Sequence, residues 1–217
     1  MLPRVIALLI GYGFGLFQTA YLYGRVHGVD IRTVGSGNAG TTNTLRTFGK
    51  KAGYIVFAGD CLKAILAVLV VWLIFHNRCP EIERTLRLYA GLGAVLGHNY
   101  PFYMNFKGGK GVACTAGLGI AFSWQIFLVG LILFALSLAL VHYVSLGSLF
   151  VGLTLLFGTI IAGSIGFFGM TRPHLMELYI LAAIISGQLF YRHRENIVRL
   201  IKGQERKTYF FTKGKNS

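Results

Sequence analysis

Three segments of this 217-residue chain carry groups that could bind and activate a phosphorylated molecule. In residues 35 to 46, Gly35, Gly37 and Gly40 are interleaved with Ser36, Asn38, Thr41, Thr42 and Asn43. Such glycines let the backbone turn sharply, so that N–H groups and hydroxyls converge on an anion. Arg46 could close on the same anion with a bidentate guanidinium. In residues 97 to 112, Lys107, Gly108, Gly109, Lys110 and Gly111 form a glycine–lysine run that leads into an apolar stretch. A helix starting there would offer unpaired N–H groups and a favourable dipole to phosphate. The run is not a Walker A loop, because the earlier glycine is missing and Val112 follows Gly111 instead of Ser or Thr, so nucleotide hydrolysis is not supported. His98 stands at the start of this segment. In residues 193 to 203, His193, Asn196 and Leu200 would share one side of a helix. Each segment also has a plainer reading: an ordinary polar loop, a headgroup-level histidine, and a basic interfacial tail.

The elements that position these segments are membrane spans. Hydrophobic residues make up 54% of the chain and charged residues only 13%, far from a soluble balance. The 21 Lys and Arg against 7 Asp and Glu give a formal charge of +14. In a soluble chain that charge would suggest nucleic acid; in a membrane chain it points to cytoplasmic loops, anionic headgroups and anionic substrates, and no nucleic-acid partner is expected. Apolar runs at 5–23, 54–75, 88–96, 112–141, 144–168 and 178–191 are the candidate spans. The run at 112–141 is too long for one helix and is expected to break at Ser123-Trp124-Gln125. The third run is short and must borrow from the Arg84–Arg87 flank. Asp60 and Lys63 lie within the second span, three residues apart and on one face. The 29 glycines suit close helix approach where lipid provides no hydrophobic drive. Cys61, Cys79 and Cys114 have neither disulfide nor metal spacing, and no metal or cofactor is expected.

The fold class expected is therefore an all-α membrane protein, a compact bundle of seven transmembrane helices occupying residues 1–205, with a short basic tail at 206–217. Lys and Arg concentrate in 24–52, 97–111 and from Arg192 onward, against Arg4, Arg78, Arg84, Arg87 and Arg172 on the other side. The positive-inside rule then places the N-terminus outside, the C-terminus in the cytoplasm, and all three polar segments on the cytoplasmic face.

In these segments the chain resembles the acyl-phosphate-dependent glycerol-3-phosphate acyltransferases of bacteria, the PlsY family. The resemblance runs from the first span to about Glu205 and is strongest over Ser36–Arg46, His98–Val112 and His193–Leu200. Ala39 stands where a proline or larger apolar residue is expected. The resemblance implies a multi-pass enzyme of the bacterial cytoplasmic membrane, with its active site on the cytoplasmic side. Its reaction would move a fatty acyl group from acyl phosphate to the 1-hydroxyl of glycerol 3-phosphate, giving lysophosphatidic acid and phosphate at the start of phospholipid synthesis. Its partners would be these two substrates, membrane lipids and the enzyme that makes acyl phosphate. The resemblance also assigns Ser36, Arg46, Lys110 and Asn196 to glycerol 3-phosphate. Thr41, Thr42, Asn43 and the Gly108–Gly111 backbone go to acyl phosphate, with His193 nearby.

An acyl phosphate is already activated, so the protein need mainly align the hydroxyl and stabilise the oxyanion. His98 or His193 could accept the hydroxyl proton, and so could a phosphate oxygen of the donor. No Asp or Glu adjacent in sequence orients either histidine. The His-x4-Asp pattern is absent, since Tyr103 follows His98 at that spacing; substrate-assisted catalysis is the favoured reading. The competing classes are a transporter of a phosphorylated metabolite, which intramembrane Asp60 and Lys63 would suit, and a lipid-binding scaffold without turnover. No internal repeat supports transport.

Overall fold

The computed structural model describes residues 1–209, in which all regular structure is helical. Lys213 and Lys215 of the expected basic tail lie outside the described residues. Each predicted apolar run is helical, and the helix ends show where composition alone misjudged them. The first run is two helices, α1 (Leu2–Gly15) and α2 (Thr19–Val26), separated by a break at residues 16–18. The polar 24–52 segment contains a short helix, α3 (Thr41–Phe48), before α4 (Lys50–Phe75). The weak third run becomes the longer α5 (Glu83–Asn99), because the Arg84–Arg87 flank is helical too. The long fourth run breaks at Ser123 into α6 (Val112–Phe122) and α7 (Trp124–Leu140). α8 (Val144–Ser164), α9 (Arg172–Arg192) and α10 (Arg194–Ile201) complete the order.

Among the described residues, four stretches are long and apolar enough to cross a membrane: residues 2–26, α4, α8 and α9. α6, with 11 residues, is shorter. At 1.5 Å per residue it reaches only about 16 Å, half the hydrocarbon thickness.

Glycine sets the tightest packing in the bundle. α1 and α5 cross with their backbones in contact: a Cβ on Gly11 would lie 2.0 Å from the Ala90 carbonyl oxygen, and one on Gly93 would lie 2.2 Å from that of Leu8. Gly15 and Gly97 meet the opposing helix in the same way. This is the small-residue packing expected where close van der Waals contact must replace the hydrophobic effect. α4 packs on α6 with equal intimacy, since a Cβ on Gly117 would sit 2.2 Å from the Cys61 carbonyl oxygen.

The break between α1 and α2 frees carbonyls that buried side chains then satisfy. The Gln18 amide donates to the Gly15, Gly97 and His98 carbonyls at 3.1–3.2 Å. Lys63 donates to the Phe17 carbonyl at 2.6 Å. An interrupted helix is tolerated at membrane depth only where protein groups satisfy the released backbone in this way. At the other end of the bundle, Arg4 and Tyr89 both donate to Glu177, tying α1 and α5 to α9.

Candidate active site

The three polar segments converge on one cavity of about 790 Å³. It is lined by Ser36, Gly37, Asn38, Gly40, Thr41, Thr42, Asn43, Arg46, His98, Lys107, Gly108, Lys110, Gly111, His193 and Asn196. Of the residues singled out from sequence, only Gly109 is absent from the wall. It sits just behind, where a Cβ would lie 2.0 Å from His98 Nε2 and 2.8 Å from the Ala39 carbonyl oxygen. Gly109 is therefore the point at which the first two segments and His98 touch, and no larger residue fits there.

The first segment is braced from inside by Asn43. Its Oδ1 accepts the Ser36 N–H at 2.8 Å, and its Nδ2 donates to the Ile31 and Val34 carbonyls at 3.0 Å. Gly35 must be glycine twice over: its φ is +63°, and a Cβ would lie 2.2 Å from Asn43 Oδ1. The resemblance assigns Asn43 to acyl phosphate; Asn43 lines the cavity, and its amide also holds Ser36 in place.

Two helices begin at the cavity wall with glycine caps. α3 starts after Gly40 and α6 after Gly111, and neither cap supplies a side-chain hydrogen bond to the first turn. The first N–H groups of both helices are thus open to an anion, and the dipoles favour one. Thr41 Oγ1 is buried beside the α3 start with no hydrogen-bond partner among the described residues.

The glycine–lysine segment departs from the expected cradle in one respect. The Gly108 and Gly109 N–H groups are not turned to the cavity; they donate to the Asn99 and His98 carbonyls at 3.1 and 3.0 Å. Their carbonyls are gripped by Arg192, whose guanidinium reaches Gly108 O at 3.1 Å and Gly109 O at 2.9 Å. The two glycines are framework, and the N–H groups left for a phosphate begin at Lys110.

Lys110 is held by the third segment. Its ammonium donates to Asn196 Oδ1. The Asn196 amide donates to Glu205 at 2.7 Å, and Arg199 donates to the other Glu205 oxygen at 2.7 Å. Burial, then the Arg199 charge, push the Lys110 amine down to about 8. Burial and the Lys110 charge also push the His193 imidazole down to about 4. His193 is therefore neutral near pH 7. Its Nδ1 lies 2.8 Å from the Leu189 carbonyl, which can only accept, so that nitrogen carries the proton and Nε2 is left as an acceptor.

Arg46, placed on α3, donates to Thr208 Oγ1 at 2.8 Å, so residues after α10 return over the first segment. The sequence reading named Asp60 only as an intramembrane charge, and it left out other wall residues: Arg32, Arg192, Arg194, Glu195, Arg199, Glu205 and Arg206. Arg192, adjacent to His193, could have been found from its neighbour. Asp60 joins the wall because α4 brings it there from a different part of the chain. The far end of the cavity is apolar, lined by Phe57, Ile126, Phe127, Leu131, Phe134 and Leu138 of α4 and α7. Leu131 is also open to the outside of the bundle. Among the described residues, no group of three or more His, Cys, Asp or Glu could hold a metal ion.

A cationic pocket with two open helix starts, continuous with an apolar groove, suits a molecule with a phosphate head and a hydrocarbon tail. The sequence matches the family model described as glycerol-3-phosphate acyltransferase over residues 5–203. The chain belongs to the glycerol-3-phosphate acyltransferase family of the PlsY type. It is 40% identical over 206 residues to a glycerol-3-phosphate acyltransferase of Clostridioides difficile strain 630, covering 94% of each chain. It is 36% identical to one from Prochlorococcus marinus strain NATL1A, covering 93% of this chain and 96% of the relative. The fold matches a crystal structure of PlsY, an integral membrane glycerol 3-phosphate acyltransferase, in its glycerol 3-phosphate form. The TM-score is 0.80 with 32% identity, over 95% of this chain and 96% of that one. The lysophosphatidic acid form of PlsY matches with a TM-score of 0.77 and 30% identity, over 95% of each chain.

Proposed function

We propose that the acyl donor is a fatty acyl phosphate and that the acceptor is the 1-hydroxyl of glycerol 3-phosphate. The observation that carries this reading is the single cavity in which two glycine-capped helix starts and several cations face one apolar groove. Two phosphates brought together in a low-dielectric site repel unless several donors and cations share their charge. The α3 start with Thr41 and Thr42 forms one seat. The α6 start with Lys110 forms the other, and Ser36 and Arg46 line the same cavity. The groove of Phe127, Leu131, Phe134 and Leu138 takes the acyl chain and opens it to lipid.

In the reaction, the acceptor oxygen attacks the acyl carbonyl carbon, the carbon–oxygen bond to phosphate breaks, and the hydroxyl proton leaves on the released phosphate. His193 takes a supporting part. Its unprotonated Nε2 can accept a hydrogen bond from the attacking hydroxyl, but a group pushed down to about 4 is a weak base at neutral pH. The donor phosphate is the better proton acceptor, which favours substrate-assisted transfer.

Seven membrane crossings, with the three segments at the cytoplasmic face of a bacterial inner membrane, complete the proposal. Short α6 fits if its glycine-rich entrance lies below headgroup level. Asp60, beside that entrance, stands ten residues along α4 from Lys50, or about 15 Å of helix.

The test is donor choice. Purified protein is incubated with glycerol 3-phosphate and, separately, acyl phosphate, acyl carrier protein thioester or acyl coenzyme A. Lysophosphatidic acid should form at high rate from acyl phosphate alone. Equal rates from a thioester would reject the donor assignment, and uptake of glycerol 3-phosphate into sealed vesicles without product would favour transport.

A further inference from the structure

Beneath the glycine–lysine segment lies a buried cluster whose polar groups come from three elements: Asp60 and Lys63 of α4, His98 of α5, and Thr19 of α2. Lys63 and Asp60 form an ion pair at 2.9 Å, with side chains 3% and 1% exposed. Thr19 donates its hydroxyl to Asp60 at 3.0 Å. Lys63 Nζ also lies 2.8 Å from His98 Nδ1 and 2.6 Å from the Phe17 carbonyl. An ammonium has three protons and no lone pair. Lys63 thus has one acceptor for each proton: the Asp60 carboxylate, the Phe17 carbonyl and His98 Nδ1.

This arrangement dictates the state of the imidazole. A proton on Nδ1 would face an ammonium N–H at 2.8 Å, donor against donor, so Nδ1 must be the bare acceptor. Asp60 Oδ1 lies 3.7 Å from the same nitrogen, beyond hydrogen-bond distance, while Lys63 Nζ is within hydrogen-bond distance of both. With Lys63 positive, Asp60 negative and His98 neutral, the cluster carries no net charge, as its burial requires. The ring's one proton is then on Nε2. That nitrogen lies against Gly109, and the side chain, only 4% exposed, borders the cavity.

We propose that Asp60 and Lys63 are positioning residues that lock His98 as the Nε2–H tautomer, making His98 a hydrogen-bond donor to the phosphate seated at the α6 entrance and not a base. This deepens the acyltransferase reading and rests on it. His98 and His193 then have opposite polarity across one cavity: His98 presents a proton at Nε2, and His193 presents a lone pair. A carboxylate beside a catalytic histidine would ordinarily accept the Nδ1 proton and leave Nε2 basic. Here Lys63 pairs with the carboxylate and donates to Nδ1 itself, which reverses the tautomer.

The tautomer is read directly by nuclear magnetic resonance of the full-length protein carrying ¹³C,¹⁵N-labelled histidine, with the His98 signal identified by its loss in His98→Gln. The expected result is a neutral ring with ¹⁵Nε2 protonated and ¹⁵Nδ1 bare, unchanged from pH 6 to 8. An Nδ1–H ring, or one that titrates across that range, would overturn the proposal.

Kinetics provide the second arm, with lysophosphatidic acid as the readout. Gln can donate from near the Nε2 position but cannot act as a base, so His98→Gln should retain at least about tenfold more kcat than His98→Ala. Both should keep the wild-type pH dependence of kcat. Equal loss in both variants together with a vanished acidic limb would mean that His98 is the base.

The double variant Asp60→Asn with Lys63→Met removes the buried charges together and keeps their bulk. It should retain the helical content of the wild type, lose the fixed tautomer signature and lower kcat with little change in the KM for acyl phosphate. A retained signature would show that the lock lies elsewhere. If the wild type makes no lysophosphatidic acid, the acyltransferase reading has failed; if it turns over with an Nδ1–H His98, only this inference has.

Discussion

Lys110 offers a quantitative test of how the site holds its acceptor. Burial and the nearby Arg199 push its amine down to about 8, far below the usual lysine range. The sign follows from charge. The ammonium attracts phosphate and the free amine does not, so binding is strong below the pKa and weakens as pH rises through it. With a pKa of about 8, the charged fraction falls from roughly 0.9 at pH 7 to roughly 0.1 at pH 9, whereas an ordinary lysine would still be almost fully charged. The phosphate monoester itself is a dianion throughout, its second pKa being near ~6. The KM for glycerol 3-phosphate should therefore rise about tenfold between pH 7 and 9. The assay is initial-rate formation of lysophosphatidic acid at saturating acyl phosphate, with the acceptor varied at each pH. Lys110→Arg, whose charge does not titrate in this range, should flatten that rise even if its absolute activity is lower. A wild-type KM that stays constant from pH 7 to 9, or an equal rise in Lys110→Arg, would refute the assignment of Lys110 to phosphate.

Three further outcomes are expected. Arg192→Lys cannot grip the Gly108 and Gly109 carbonyls together; losing one charged hydrogen bond of about 1.5 to 3 kcal/mol should lower kcat/KM roughly tenfold or more, and a change within twofold would make the clamp unimportant. Gly93→Ala pushes a methyl against the Leu8 carbonyl oxygen, 2.2 Å away, and should lower the melting temperature of the purified protein by several degrees, while Gly13→Ala, with nothing within 4 Å, should not. In a chain lacking Cys61, Cys79 and Cys114, single cysteines at Arg32, Asn105 and Lys213 should react with an impermeant thiol reagent only from the cytoplasmic side, and labelling of any of them from outside would break the proposed orientation.

Hydropathy and punctuation residues made much of the architecture legible. The break at Ser123, the helical character of every apolar run and the membrane class all follow from where apolar residues are continuous and where they stop. The helix ends were less legible. The Arg84–Arg87 flank belongs to α5 because tertiary contacts stabilise a turn that hydropathy scores as polar. Residues 16–18 break the first run although their sequence is mostly apolar, because the freed carbonyls find Gln18 and Lys63.

The candidate site divides along the same line. Local composition singled out the segments of Ser36, Arg46 and Lys110, because glycine-rich loops and cations mark anion-binding chemistry by type and spacing, whereas His193 and Asn196 read alone as part of a basic tail and entered through the resemblance to the PlsY family. What each group does there depended on partners distant in sequence. Asn43 is held by the Ile31 and Val34 carbonyls, and the Gly108 and Gly109 N–H groups are turned from the cavity because the Asn99 and His98 carbonyls take them, while Arg192 takes the glycine carbonyls. Asn196 stands behind Lys110, linking it to Glu205. Most of all, the sequence offered His98 no carboxylate. Only the crossing of α4 and α5 brings Asp60 and Lys63 to it, in an order that fixes which nitrogen holds the proton. Residue type sets which protons a side chain can carry, but a tautomer is a property of its neighbours, and those neighbours are chosen by packing.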